Sequence, residues 1–171
     1  MTKKIILTLL LALITPITAH AEDPVAITAV GVWEGYQFTE NDVKTCYMIS
    51  APRRSEGVTG ARDDVFMFLT HKPRQKQFDV ISFDAGYPYE KGSKATLHIG
   101  EKTINLSTSS NIAWAEDVRT DREMVDALKN AADSGDEVSL RGTSSRQQRT
   151  KDIYSLNGFN EVYKAITAAC K

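Results

Sequence analysis

The stretch KATLHIGEKTINLST, residues 94–108, sets the strongest limit on what this chain can fold into. Leu97 and Ile99 alternate with polar neighbours, Gly100-Glu101-Lys102 turns the chain, and Ile104 and Leu106 resume the alternation. Period-two patterning on both sides of a turn predicts an antiparallel hairpin with one face buried. DEVSLRGTSS and TKDIYSL predict a second hairpin through a polar, arginine-rich connection. GVWEGYQF, KTCYMIS, DVFMFLTH and QFDVISFDAG read as further strands, and DVFMFLTH is apolar enough for a central strand covered on both faces. Many short strands separated by turn signals predict an antiparallel sandwich or barrel, not a parallel α/β sheet. The expectation is a mainly β fold: an antiparallel β-sandwich with two α-helices.

The first helix is expected over about residues 120–133. Thr120 is placed to cap it, with Glu123 at capping-box spacing. Met124, Val125, Leu128, Ala131 and Ala132 form one apolar stripe, and Gly135 stops the element. The second is expected over about 158–170, where Phe159, Val162, Tyr163, Ile166 and Cys170 recur at helical spacing.

The chain opens MTKKIILTLLLALITPITAHAEDP. Lys3 and Lys4 precede an apolar run from Ile5 to Ile14, and Ala19-His20-Ala21 supplies the small-x-small pattern of a cleavage site. Residues 1–21 therefore read as a secretory signal peptide, leaving residues 22–171 as a single β-sandwich domain. The apolar run is broken by Pro16 and is shorter than the roughly 20 residues of a membrane-spanning helix. No later segment is apolar enough to span. Removing Lys3 and Lys4 from the 21 basic side chains leaves 19 against 22 acidic ones. That balance argues against nucleic-acid binding, which relies on a basic excess. AEDPVAIT, at the new start, reads as a loose lead-in.

Export gives the two cysteines meaning, because an even count in an oxidising compartment favours pairing. An intramolecular Cys46–Cys170 bridge is the expectation; two buried free thiols or intermolecular pairing are the alternatives.

Signals for catalysis are absent or weak. No metal, thiol-redox or nucleotide motif is present, and no cofactor is called for. His71 reads as a loop-edge residue and His98 as solvent-facing. Trp33 and Trp114 read as core or core-edge residues. The acidic pairs Asp63-Asp64, Glu116-Asp117 and Asp136-Glu137 read as solvated, so no catalytic residue is assigned. Two catalytic carboxylates need no fixed spacing, so an enzyme acting on envelope glycans through a carboxylate pair stands as the alternative. Basic residues gather in loops, with Arg53, Arg54, Lys72, Arg74, Arg146 and Arg149 as candidate ligand-binding residues. Either these are ordinary solvated loops, or they converge and bind an acidic polysaccharide.

GVWEGY with Trp33, CYMISAP with Cys46, MFLTHKP, AGYPYEKGSKATLHIG, IAWAED with Trp114, and the closing RGTSSRQQRTKDIYSLNGFNEVYKAITAACK occur in an order that resembles the invasion-associated locus B family of exported proteins from Gram-negative bacteria. The resemblance covers essentially the whole chain after the leader. It implies an exported, mainly β domain that is periplasmic, outer-membrane-associated or secreted. It brings no catalytic residues, and it implies the Cys46–Cys170 bridge and a structural YSLNGF lead into the last helix. The expected function is non-enzymatic: binding an envelope or host-surface component in support of host-cell invasion or envelope integrity.

Overall fold

The computed structural model describes residues 23–57 and 60–171, so the leader expected at residues 1–21 lies outside the described residues. The first half of the chain supplies β1 (Val25–Val30), β2 (Trp33–Glu40), β3 (Val43–Ser50), β4 (Arg54–Glu56), β5 (Phe66–Lys72) and β6 (Gln77–Asp84). The second half supplies β7 (Lys94–Ile99), β8 (Lys102–Ser109), β9 (Ile112–Trp114), α1 (Val118–Ser134), β10 (Val138–Thr143), β11 (Arg149–Tyr154) and α2 (Phe159–Ala169). Both expected hairpins form, β7 with β8 and β10 with β11. The lead-in expected to be loose instead forms β1, paired with β2.

The strands join one antiparallel sheet in the order β1-β2-β3-β5-β6-β9-β8-β7-β10-β11-β4. The layered β fold is reached by folding this one sheet over. β3 and β4 stand eight strand steps apart in the sheet order, which in a flat sheet is about 38 Å. Yet only Ala51, Pro52 and Arg53 link them, and so short a link spans at most about 15 Å between Cα atoms. Contacts across the fold agree. Phe83 of β6 meets Tyr154 of β11 with ring centroids 5.8 Å apart, and the Trp33 indole N–H donates to the Ser155 carbonyl at 3.0 Å.

Nearly all of the buried apolar side chains form one cluster inside this fold, including Trp33, Met48, Met67, Leu69, Phe83, Leu97, Leu106 and Phe159. Each such apolar side chain fully buried contributes roughly 1.5–3 kcal/mol. Both helices pack on the inner face, α2 across β1, β2 and β3, and α1 against β6 and β7. Trp33 and Phe159 meet edge to face at 5.1 Å.

Helix α1 buries Met124, Val125, Leu128 and Ala131, as the stripe predicts, and Gly135 ends it in a left-handed conformation. Its cap differs from expectation. Asp117 is the N-cap, its carboxylate accepting the Thr120 N–H at 2.9 Å, so Thr120 lies inside the first turn. A carboxylate at this end also meets the positive end of the helix dipole.

Helix α2 buries Phe159, Val162 and Ile166, and Cys170 follows on the same side. The expected disulfide is present: Cys170 bonds Cys46 of β3 across a sequence separation of 124, with the Cα atoms 6.0 Å apart. Lys44 adds a second tie, its ammonium donating to the Ala169 carbonyl at 2.6 Å.

Two other expectations change. β5 buries Met67, Leu69 and His71 on one face only, while Phe66 and Phe68 face outward half-buried. His71 is not a loop-edge residue but lies inside the molecule at 1% exposure. Its Nδ1 accepts the Asp79 N–H at 3.0 Å, which leaves the proton on Nε2 to donate to the Thr167 hydroxyl of α2 at 3.1 Å.

Candidate functional site

Alternation along β7, β10 and β11 turns Ala95, Leu97, Val138, Leu140, Thr150 and Asp152 inward. The intervening residues Lys94, Thr96, Arg141, Thr143, Arg149 and Lys151 therefore face out. Register then sets their neighbours. Arg141 lies opposite Thr96 on one side and Lys151 on the other, and Thr143 lies opposite Arg149. Arg141 and Arg149 are thus diagonal cross-strand neighbours, a relation that holds residues about 7–8 Å apart. A groove of about 180 Å³ runs between them, lined also by Lys94, Thr96 and Thr143.

The charges are unevenly spent. Lys94 pairs with Glu116 at 3.3 Å, and Lys151 with Glu137 at 2.9 Å. Arg141, Arg146 and Arg149 make no ion pair among the described residues. Arg146, in the β10–β11 connection, lines a second groove of about 240 Å³ with Arg62, Asp63, Tyr87 and Ser145. Thr150 borders both grooves.

This connection is fixed by its backbone. The Ser145 N–H donates to the Pro88 carbonyl at 2.7 Å, the Ser144 N–H to the Gln148 carbonyl at 2.9 Å, and the Glu90 N–H to the Thr143 carbonyl at 2.9 Å. Gln147 takes a left-handed φ of 62°, closing the turn. Beneath it lies a polar core. The Arg62 guanidinium donates to both Asp152 oxygens at 2.8 and 2.7 Å, and its Nε–H to the Ala85 carbonyl at 2.6 Å. Ser55 donates to the same carboxylate at 2.6 Å. Arg62 also stacks over the Tyr87 ring at 4.8 Å, and the Tyr87 hydroxyl bonds Thr150. Burial pushes the phenols of Tyr87, Tyr89 and Tyr154 up, so all three stay neutral at physiological pH. Gly142 allows the fit: a Cβ there would sit 2.6 Å from the Tyr89 ring and 2.8 Å from the Tyr87 hydroxyl.

Of the six basic residues singled out from sequence, Arg149 lies on this face and Arg146 lies in the adjoining groove. The other four do not join them. Arg53 pairs with Glu137 at 3.3 Å and Arg54 with Glu56 at 2.7 Å. Lys72 and Arg74 lie at the β5–β6 connection, where Arg74 donates to the Asp42 carbonyl at 2.7 Å. Arg141 and Lys94 complete the face, and their signal was the alternation in VSLRGT and KATLHI that puts them opposite the apolar positions. The three acidic pairs are placed separately: Asp63 beside Gly86, Glu116 and Asp117 before α1, Asp136 and Glu137 after it. His98 is half-buried on β7, with Nδ1 3.3 Å from the Thr103 hydroxyl.

Fold and site together define a disulfide-clamped domain built on one folded antiparallel sheet, with an arginine-bearing outer face. A family model described as Invasion associated locus B (IalB) protein matches residues 33–167. The chain belongs to the invasion-associated locus B family. No curated protein and no solved structure matches it.

Proposed function

We propose that this protein is an exported, non-enzymatic domain that binds an acidic polysaccharide of the bacterial envelope or of a host surface. It works in the periplasm, at the outer membrane or after secretion, in support of envelope integrity or host-cell invasion. The observation that carries this reading is the pair Arg141 and Arg149, without acidic partners among the described residues and set on neighbouring strands beside threonine hydroxyls, with Arg146 in the adjoining groove. Guanidinium groups present a planar fork of donors that matches carboxylate, sulfate or phosphate oxygens in pairs. The threonine hydroxyls add neutral donors and acceptors suited to sugar hydroxyls. The leader-like start, the disulfide and the family fit an oxidising compartment outside the cytoplasm.

Retention on purified envelope fractions tests the reading. The oxidised protein is expected to be retained, and a double variant Arg141→Gln/Arg149→Gln to be released. Absence of retention on every fraction would contradict it.

A further inference from the structure

The other half of the outer sheet surface has the opposite character. On β2, β3 and β5 the inward positions hold Trp33, Cys46, Met48, Met67 and Leu69, and the outward positions hold Tyr36, Phe38, Tyr47, Phe66 and Phe68. The outward rings touch in series: Tyr36–Tyr47 at 5.5 Å, Phe38–Tyr47 at 6.1 Å, Tyr47–Phe68 at 6.5 Å and Phe66–Phe68 at 6.0 Å. All five are half-buried, and the helices, packed on the inner face, leave them uncovered. A joined apolar surface of this kind marks an interaction site.

Its charge says what it takes. A groove of about 430 Å³ opens at one end, with Val32, Tyr36, Tyr47, Ile49 and Phe66 in its walls. Among the described residues, the one charged side chain lining it is Glu34. Glu34 accepts a hydrogen bond from the Tyr36 hydroxyl and makes no ion pair among the described residues. Aromatic faces attract guanidinium and ammonium groups through the ring quadrupole, and a carboxylate accepts the guanidinium fork. Apolar walls hold the methylene stem of the same side chain.

We propose that this face docks a basic segment of a partner protein, an arginine lying along Tyr36 and Tyr47 with its charge on Glu34. This goes beyond polysaccharide binding. The aromatic face lies on β2, β3 and β5 and the arginine face on β7, β10 and β11, separate stretches of one folded sheet. One domain thereby joins an acidic polymer on one side to a basic protein on the other.

Acetylated octa-arginine amide, titrated into the oxidised protein and followed by calorimetry, is the test. Saturable binding is expected, weakened about tenfold by Glu34→Gln and by Tyr47→Leu and unchanged by Arg141→Gln/Arg149→Gln. Glu34→Gln changes an exposed side chain, so its fold is retained, and matching melting curves check this. Binding that ignores both substitutions would overturn the proposal. So would absence of peptide binding together with a concentration-dependent dimer abolished by Tyr47→Leu, which assigns the face to a second copy of the chain.

Discussion

The guanidinium of Arg62 and the carboxylate of Asp152 form two parallel hydrogen bonds with almost no access to water, their side chains 9% and 1% exposed. The pair ties the segment before β5 to β11, directly under the loop that carries Arg146. A buried pair of this kind is costly to break from one side, because the remaining charge keeps its desolvation penalty. Arg62→Leu is therefore expected to cost about 3–5 kcal/mol in urea denaturation. The double variant Arg62→Leu/Asp152→Leu is expected to be more stable than Arg62→Leu alone. A single variant within about 1 kcal/mol of the parent would contradict this account of the pair.

Cys170→Ser removes the covalent tie between the end of α2 and β3. Closing a loop of 124 residues corresponds to about 4–5 kcal/mol in the chain-entropy description. The expected results are a lowered melting temperature in oxidising buffer and faster amide exchange in the last turns of α2. Unchanged melting would refute the role given to the bridge.

Two buried groups titrate with opposite signs. Burial pushes the His71 imidazolium below its ordinary 6.5, with the Asp79 charge opposing in part. The folded state then binds fewer protons than the unfolded one, so stability is full above 6.5 and falls as pH drops toward the folded value. Burial pushes the Asp121 carboxyl up to about 6 from 3.8, although the Ile81 N–H donated to it opposes this. Here the folded state binds more protons, so stability falls as pH rises from about 4 to 6. The stability of the parent relative to His71→Gln should fall on acidification below 6.5, and its stability relative to Asp121→Asn should fall as pH rises from about 4 to 6. Denaturation midpoints across this range would show both slopes, and flat differences would contradict the assignments.

Gly158 precedes α2 at φ 93°, and a Cβ there would stand 1.9 Å from the Val30 carbonyl oxygen. Gly158→Ala is expected to cost at least about 1–3 kcal/mol from backbone strain, read by chemical denaturation. An unchanged midpoint would show that the chain adjusts at this point without cost.

What the sequence made legible was local. The β7–β8 and β10–β11 hairpins carry their own turns and alternation, and both helices carry their own stripes. Long-range partners were the missing part. β4 is three exposed residues, and Ser55 within it meets Asp152 at a separation of 97. His71 ends an apolar strand beside Lys72 and Pro73, and its burial depends on Thr167 of α2, 96 residues later. Capping-box spacing pointed to Thr120, and Asp117, three residues earlier, caps α1 instead. The basic face was half legible: Arg146 and Arg149 stood out as a loop cluster, whereas Arg141 and Lys94 join it only through strand register.

Polyanion binding at the arginine face tests the central claim most directly. Titration of the oxidised protein with polygalacturonate at low and raised salt, with neutral dextran as control, is the measurement. Saturable binding is expected, weaker at raised salt and reduced about tenfold by Arg141→Gln or Arg149→Gln, with Arg54→Gln unchanged. Equal binding to dextran, or affinity for polygalacturonate indifferent to both arginines, would contradict it.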